Sequence, residues 1–287
     1  MNYPLWLVSI SVFVALLEWG WPAREQKRLR KRLWSDCLYL IFNGHFLGVF
    51  LYGIATYYII PYIDSALSTL GVREQIYFGA VQSWGLIFQV VVALFVIDLI
   101  QWLVHNALHR IPFLWPIHQV HHSVQDGEMD WIVAFRFSWL EVVIYKSMMF
   151  IPLMWFGFAP EVVFVHAVLG TLIGHLNHAN LTWDYGPLRY LLNSPRMHLY
   201  HHDFYAPSPG QNFGILFSCW DWVFGTAHLP QNPPKKIGFP GVNAFPKDFF
   251  SQVVWPLPLC FQGLLSNPLL MRGLGIMVLF ALYGLSL

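Results

Sequence analysis

The chain has 287 residues, of which 56% are hydrophobic, 18% aromatic and only 11% charged, with a formal net charge of +1. A soluble domain carries about 25% charged residues and could not enclose so much apolar surface, so lipid must cover part of it. A charge near zero excludes a global pull on nucleic acid or acidic substrates.

In chain order, the first apolar stretch runs from Leu5 to Trp19 and reads as a membrane span. The basic cluster Arg24, Lys27, Arg28, Arg30, Lys31 and Arg32 follows it, the reverse of the order in a cleaved signal peptide. A second span is expected from Cys37 to Ile60 and a third from Trp84 to Val104. A fourth (Trp139–Phe156) and a fifth (Val162–Leu176) are separated by Gly157-Phe158-Ala159-Pro160-Glu161, which suits a tight hairpin. Val253–Leu265 and Leu274–Leu287 are weaker, and read as one span or as helices lying in the interface. Lipid-exposed backbone must satisfy its own hydrogen bonds, so the expected fold is all-α, a polytopic membrane protein of about four to six spans. By length it is one large domain or two small ones. Three regions are expected: N-terminal spans and basic loop (1–93), a histidine-rich catalytic region (94–228) and a hydrophobic C-terminal segment (229–287).

The basic cluster places the loop between spans one and two in the cytoplasm. The loop from Pro61 to Ser83 holds a single basic residue, Arg73, as an outer loop should. The resulting topology puts His105–His122 and His175–His202 on one cytoplasmic side, as a helical cap. The cysteines Cys37, Cys219 and Cys260 stand far apart with no CxxC, which leaves no zinc-ribbon, iron–sulfur or redox-pair reading.

Ten of the 13 histidines fall in four clusters: His105 and His109 as HxxxH, His118, His121 and His122 as HxxHH, His175 and His178 as HxxH, and His198, His201 and His202 as HxxHH. A helix turns about 100° per residue, so i and i+4 lie about 40° apart and i+3 about 60° to the other side. Each HxxHH therefore presents its imidazoles within an arc of about 100°. Any one of these taken alone would read as an ordinary core or surface histidine. Ten in such clusters would be costly to bury without a metal. Zinc takes four ligands as a rule, so two metals with four or five histidines each use up the set. Imidazole suits Fe, Zn, Cu or Ni, so ligand type does not name the metal. A transporter would place its ligands within spans near the midplane, whereas these clusters follow span ends.

Pro112 should end the helix carrying His105 and His109, and Pro116 should open the next. Asp98 is an acid inside an apolar span, seven residues before His105. It is expected either to accept a proton from a ligand imidazole or to make a structural hydrogen bond between helices. His45 and His166, inside spans two and five, read as packed polar residues or tunnel lining, and His228 as peripheral.

Together with two flanks, GPLRYLLNSPRMHLYHHD (186–203) and NFGILFSCWDWVFGT (212–226), the boxes HNALH (105–109), HQVHH (118–122), HLNHAN (175–180) and HLYHH (198–202) resemble the fatty acid hydroxylase/sterol desaturase superfamily. The likeness covers about residues 94–228 and is nearest the bacterial sterol-desaturase-like and alkylglycerol monooxygenase-like branch. It implies an integral-membrane, O₂-dependent oxidoreductase of lipid metabolism with two iron ions. The implied ligands are His105, His109, His118, His121, His122, His178, His198, His201 and His202, with His175 in the most variable box. Asp98, Asn193, Trp220 and Asp221 match positions that the family keeps polar or aromatic near the site. Asn106 departs from the usual Arg after the first histidine, and Asp126–Arg136 departs from the usual continuation, a segment suited to shaping substrate access. The expected reaction is C–H hydroxylation of a fatty acyl chain, sterol or ether lipid, with desaturation as the alternative in the same family. From other classes, a metal transporter or a degenerate site remain alternatives. With no GxGxxG loop and no cysteine-ligated cluster, the electrons must come from an external donor. Zinc is an expected substitute in purified protein. A bacterial inner membrane is the expected location.

Overall fold

The computed structural model describes residues 2–73, 79–124, 128–206 and 210–255. Among these residues the fold is helical, and the only bridges are the isolated pairs Leu192–Phe217 and Asp203–Ile237. Among the described residues, three helices are long and apolar enough to cross a membrane: α1 (Tyr3–Gly20), α2 (Leu33–Thr69) and α3 (Leu86–Arg110). Residues such as Phe13, Phe50 and Ile87 are exposed on them, an apolar surface that lipid would cover. The protein is accordingly an integral membrane protein. The expected third span ends at Val104, whereas the helix runs six residues further and carries His105 and His109 within it.

The shorter helices follow from local chemistry. Ile111, forced extended by Pro112, stops α3 (φ −96°, ψ 110°). Helix α4 (Trp115–His122) then opens with Pro116 in its first turn, where a missing N–H costs nothing. Helices α5 (Trp139–Trp155) and α6 (Pro160–His178) form the expected hairpin. Gly157 takes the left-handed conformation (φ 77°) that closes it, with Phe158 N–H donating to Leu153 O (2.9 Å) and Gly157 N–H to Met154 O (3.1 Å). Helix α7 (Pro195–His201) starts on Ser194, whose Oγ accepts from Met197 N–H, and has proline at its first position. Short helices α8 (Cys219–Val223) and α9 (Phe249–Val254) follow. Apart from α9, the C-terminal stretches expected from Val253 onward lie outside the described residues, as does Cys260.

Helix α2 contains two π-helical turns, Phe42–Leu47 and Ala55–Ile59. The first aims Asn43 at the segment after the second histidine box, where its Nδ2 donates to Phe135 O and Phe137 O (2.9 Å each). An apolar core joins α2, α3, α5 and α6 through Ala55, Ala93, Ile97, Met149, Leu153 and Val162. Helices α3, α5 and α6 therefore stand side by side, with the histidine helices α4 and α7 at one end.

Candidate metal centre

Nine histidines, all buried except the half-buried His109, converge in two groups, within each of which the ligand atoms lie within 4.8 Å of one another. One group contains His105, His109, His118, His122 and His201; the other contains His121, His178, His198 and His202. Helical spacing explains the partition. In α4 the i, i+4 pair His118 and His122 serves the first group, and His121, turned about 100° from His122, serves the second. In the fourth box the assignment is reversed: His198 and His202 serve the second group and His201 the first. Each HxxHH thus straddles both positions and fixes them side by side.

Hydrogen bonds settle the tautomers. The Nδ1–H of His105 donates to Phe213 O (2.8 Å), of His201 to Gln211 O (2.8 Å), of His178 to Gly174 O (2.7 Å) and of His121 to Arg136 O (3.3 Å). His118 Nδ1 donates to Glu141 Oε1 at 2.6 Å. With the proton on Nδ1, each Nε2 is a bare lone pair. Yet His105 Nε2 and His118 Nε2 are 3.1 Å apart, as are His121 Nε2 and His178 Nε2. Two lone pairs at that distance repel unless a cation lies between them. Separations of 3.0–3.2 Å recur at His122–His201, His178–His198 and His198–His202. Such an edge is what two imidazoles subtend at roughly a right angle on a metal about 2.1 Å from each. His109 Nε2 is buried without a hydrogen-bond partner, as a free ligand atom would be. The residues fit a pair of metal ions.

Burial, reinforced in each case by neighbouring imidazoles, holds His118, His121, His122, His198, His201 and His202 well below the usual histidine pKa. They stay neutral, as metal ligation requires. Unfolded histidines titrate at about 6.5 and take up protons that the folded rings refuse, so the folded state weakens as pH falls through that value. Chelator-treated protein is expected to lose thermal stability between about pH 7 and 5. A melting temperature that does not change over this range would contradict the neutral cluster.

Glu141, which the sequence analysis passed over, is fully buried and holds His118. It is a lone acid in the fourth apolar stretch, so the rule that singled out Asp98 would have found it. Its first turn is set by Ser138, whose Oγ caps the backbone N–H of Glu141 itself. Glu141→Gln is expected to lower metal affinity or activity about 10- to 100-fold while the fold persists. Metal titration of the variant checks this, and wild-type affinity would refute it.

Three sequence expectations need correction, those for His175, Asp221 and Asn193. His175 stands outside both groups: its Nε2 meets Ser11 Oγ (3.0 Å) and its Nδ1 meets Trp131 O (3.0 Å), leaving no free ligand atom. Asp98 takes the second of its two expected roles: it touches no imidazole and makes structural hydrogen bonds, accepting from Leu216 N–H, Phe217 N–H and Trp220 Nε1–H (2.8–3.0 Å). Asp221 accepts from Phe213 N–H, Gly214 N–H, Trp102 Nε1–H and Thr226 Oγ1–H. Asn193 Nδ2 donates to Gly214 O (2.6 Å). All three hold the loop 211–217, whose carbonyls at Gln211 and Phe213 orient His201 and His105. They are one link further from the metal groups than expected. The loop is tight: a Cβ on Gly214 would collide with Phe217 O and Asp221 Oδ2. His228 is peripheral, and His45 packs against Phe46.

Beside the two groups lies a cleft of ≈ 1220 Å³, its open mouth included. His105, His118, His121, His178 and His198 reach it from both groups. Three helical faces wall it: Leu94, Asp98, Gln101 and His105 on α3; Val142, Tyr145, Lys146 and Met149 on α5; His166, Gly170, Gly174 and His178, among others, on α6. Gly170 and Gly174 leave the room: a Cβ at Gly170 would meet nothing within 4 Å.

Residues 90–226 match the profile of the family described as fatty acid hydroxylase. Ornithine lipid hydroxylase OlsE of Rhizobium tropici is 33% identical over 175 residues, covering 60% of this chain and 51% of that protein. Alkylglycerol monooxygenase of Xenopus tropicalis is 33% identical over 122 residues, 42% of this chain and 26% of the relative. The Homo sapiens alkylglycerol monooxygenase is 30% identical over 122 residues with the same coverage. The matches span about half the length of the first relative and about a quarter of the other two. No solved structure matches.

Proposed function

With its residues 90–226 similar to the fatty acid hydroxylase family and its relatives lipid-oxidising enzymes, we propose that this chain is an O₂-dependent membrane lipid hydroxylase holding two iron ions. The observation that carries the reading is the apolar cleft flanked by both histidine groups, where a lipid carbon and two metals would meet. When bound, the iron pair would supply O₂ activation and C–H oxidation, fed by electrons from an external donor protein. The protein orients the imidazoles through Glu141 and the carbonyls of Gln211, Phe213, Gly174 and Arg136. Leu94, Val142, Met149 and Ile173 exclude water from the cleft and grip the lipid. The basic loop before α2 supports a cytoplasmic position for the histidine helices. The substrate is a membrane lipid, the class to which the ornithine lipid and the alkylglycerol in the relatives' names belong.

Metal content and lipid-dependent O₂ uptake, measured on membranes carrying wild type or His121→Ala, test this. Two irons per chain, one for each histidine group, and a hydroxylated lipid that the variant does not form are the expected results. Tightly bound metal with no O₂ uptake, given a reductant and a broad lipid extract, would overturn the reading and favour metal transport.

A further inference from the structure

The cleft is apolar along most of its walls, yet α5 and α6 place Lys146 and His166 in it. An ammonium group inside a hydrophobic helix bundle is expensive unless paired, and marks a functional position by default. Lys146 makes no hydrogen bond or ion pair among the described residues; its contact is with the Phe150 ring, 5.7 Å from Nζ. A cation–π contact at that distance does not replace a counter-ion. His166 is buried and likewise has no hydrogen-bond partner there, and both side chains line the one cleft. Glu141 does not serve Lys146: five residues earlier on α5, it points about 140° away and is taken by His118.

The placement is also directional. Lys146 follows Glu141 by five residues, about 7 Å along α5, and His166 precedes His178 by twelve, about 18 Å along α6. The unpaired donors therefore stand apart from the metal groups, toward the other end of the same cleft. Between them α6 turns Ala167, Gly170 and Gly174 toward the space, and α5 turns Val142. That surface suits a hydrocarbon chain with a charged end.

We propose that Lys146 and His166 form an anion site that selects an amphiphile bearing a carboxylate or phosphate, held on the order of 10 Å from the carbon presented to the histidine groups. The inference rests on the cleft being the lipid-oxidation site. The anion supplies Lys146 with its counter-ion, and both charges leave water together. His166 adds a ring N–H to the same oxygens.

The test is equilibrium binding of oleate, oleyl phosphate and oleyl alcohol to the purified, metal-loaded full chain in nanodiscs of neutral lipid, corrected for partition into empty discs. Wild type is expected to bind at least one anion about tenfold or more tightly than the alcohol, the preferred anion identifying carboxylate or phosphate. Lys146→Met should lose that preference with alcohol binding and metal content unchanged, and Lys146→Arg should keep it. If the methionine variant fails to load metal, His166→Gln takes its place, with a reduced anion preference expected. Equal binding of all three probes by wild type, or an undiminished preference in the substituted protein, overturns the proposal. O₂ uptake measured alongside separates the two readings. Oxidation without anion preference sinks the anion site alone; anion preference without oxidation leaves the anion site standing and sinks the hydroxylase.

Discussion

Replacing His178 by alanine is expected to remove the metal from the four-histidine group and to reduce lipid oxidation at least about 100-fold. Replacing His175, three residues earlier in the same box, is expected to leave both metals bound. His178 fixes its proton on Gly174 O and turns its Nε2 toward His121 and His198 at 3.1 and 3.0 Å. Without it the second group keeps three imidazoles, and the remaining lone pairs lose one wall of the cation site. His175 spends both ring nitrogens on α1 and on the turn after the second box, through Ser11 Oγ and Trp131 O. Its removal costs two buried hydrogen bonds, about 1–3 kcal/mol of stability, and no ligand. Metal analysis of the two variants beside wild type decides. Loss of metal in His175→Ala, with retention in His178→Ala, would reverse the assignment.

The contrast between these neighbours marks how far the sequence reaches. The membrane-length helices α1, α2 and α3, the apolar helices α5 and α6, the proline breaks at Pro112 and Pro116 and the hairpin at Gly157 follow from hydropathy and backbone chemistry, which act locally. The face that each histidine box presents is equally local, because helical angle fixes it. What spacing cannot supply is the partner across space. His175 and His178 lie on adjacent parts of one helical face, and only the packing of α1 against α6 decides that Ser11 occupies the first. Asp98 and Asp221 point toward the site as acids in apolar surroundings should, but the loop 211–217 intervenes and takes their oxygens with its N–H groups. The fixed tautomers of His105 and His201 depend on main-chain carbonyls of that loop, which carry no residue-type signal at all. Glu141 did carry one, as the single acid in its span.

The basic loop shows the same limit. Six cations in Arg24–Arg32 read as a cytoplasmic signal, which treats them as solvated charge. Arg30 is instead buried, bonded through Nε and Nη2 to Asp130 and through Nη2 to Asp36 at 2.6 Å each. Asp36 also accepts from Arg136 Nε at 2.7 Å, and Arg136 Nη1 donates to Ser123 O and Ser123 Oγ. Arg136, expected to help shape substrate access, thus ties the start of α2 to the end of the second histidine box. Its carbonyl receives the Nδ1–H of His121. Asp36→Ala leaves Arg136 without its carboxylate and Arg30 with one of two, all at sites almost closed to solvent. Breaking a buried pair in this way costs about 3–5 kcal/mol. The variant is expected to melt well below wild type and to weaken metal binding at the four-histidine group as the Arg136 carbonyl shifts. Asp130→Ala should also lower the melting temperature but spare the metal, because it takes one of Arg30's two carboxylates and leaves the Arg136–Asp36 bond intact. Thermal unfolding and metal content measured on both variants separate the two effects. Equal metal loss in both would mean that the network acts on the centre only through overall stability, and not through the carbonyl that orients His121.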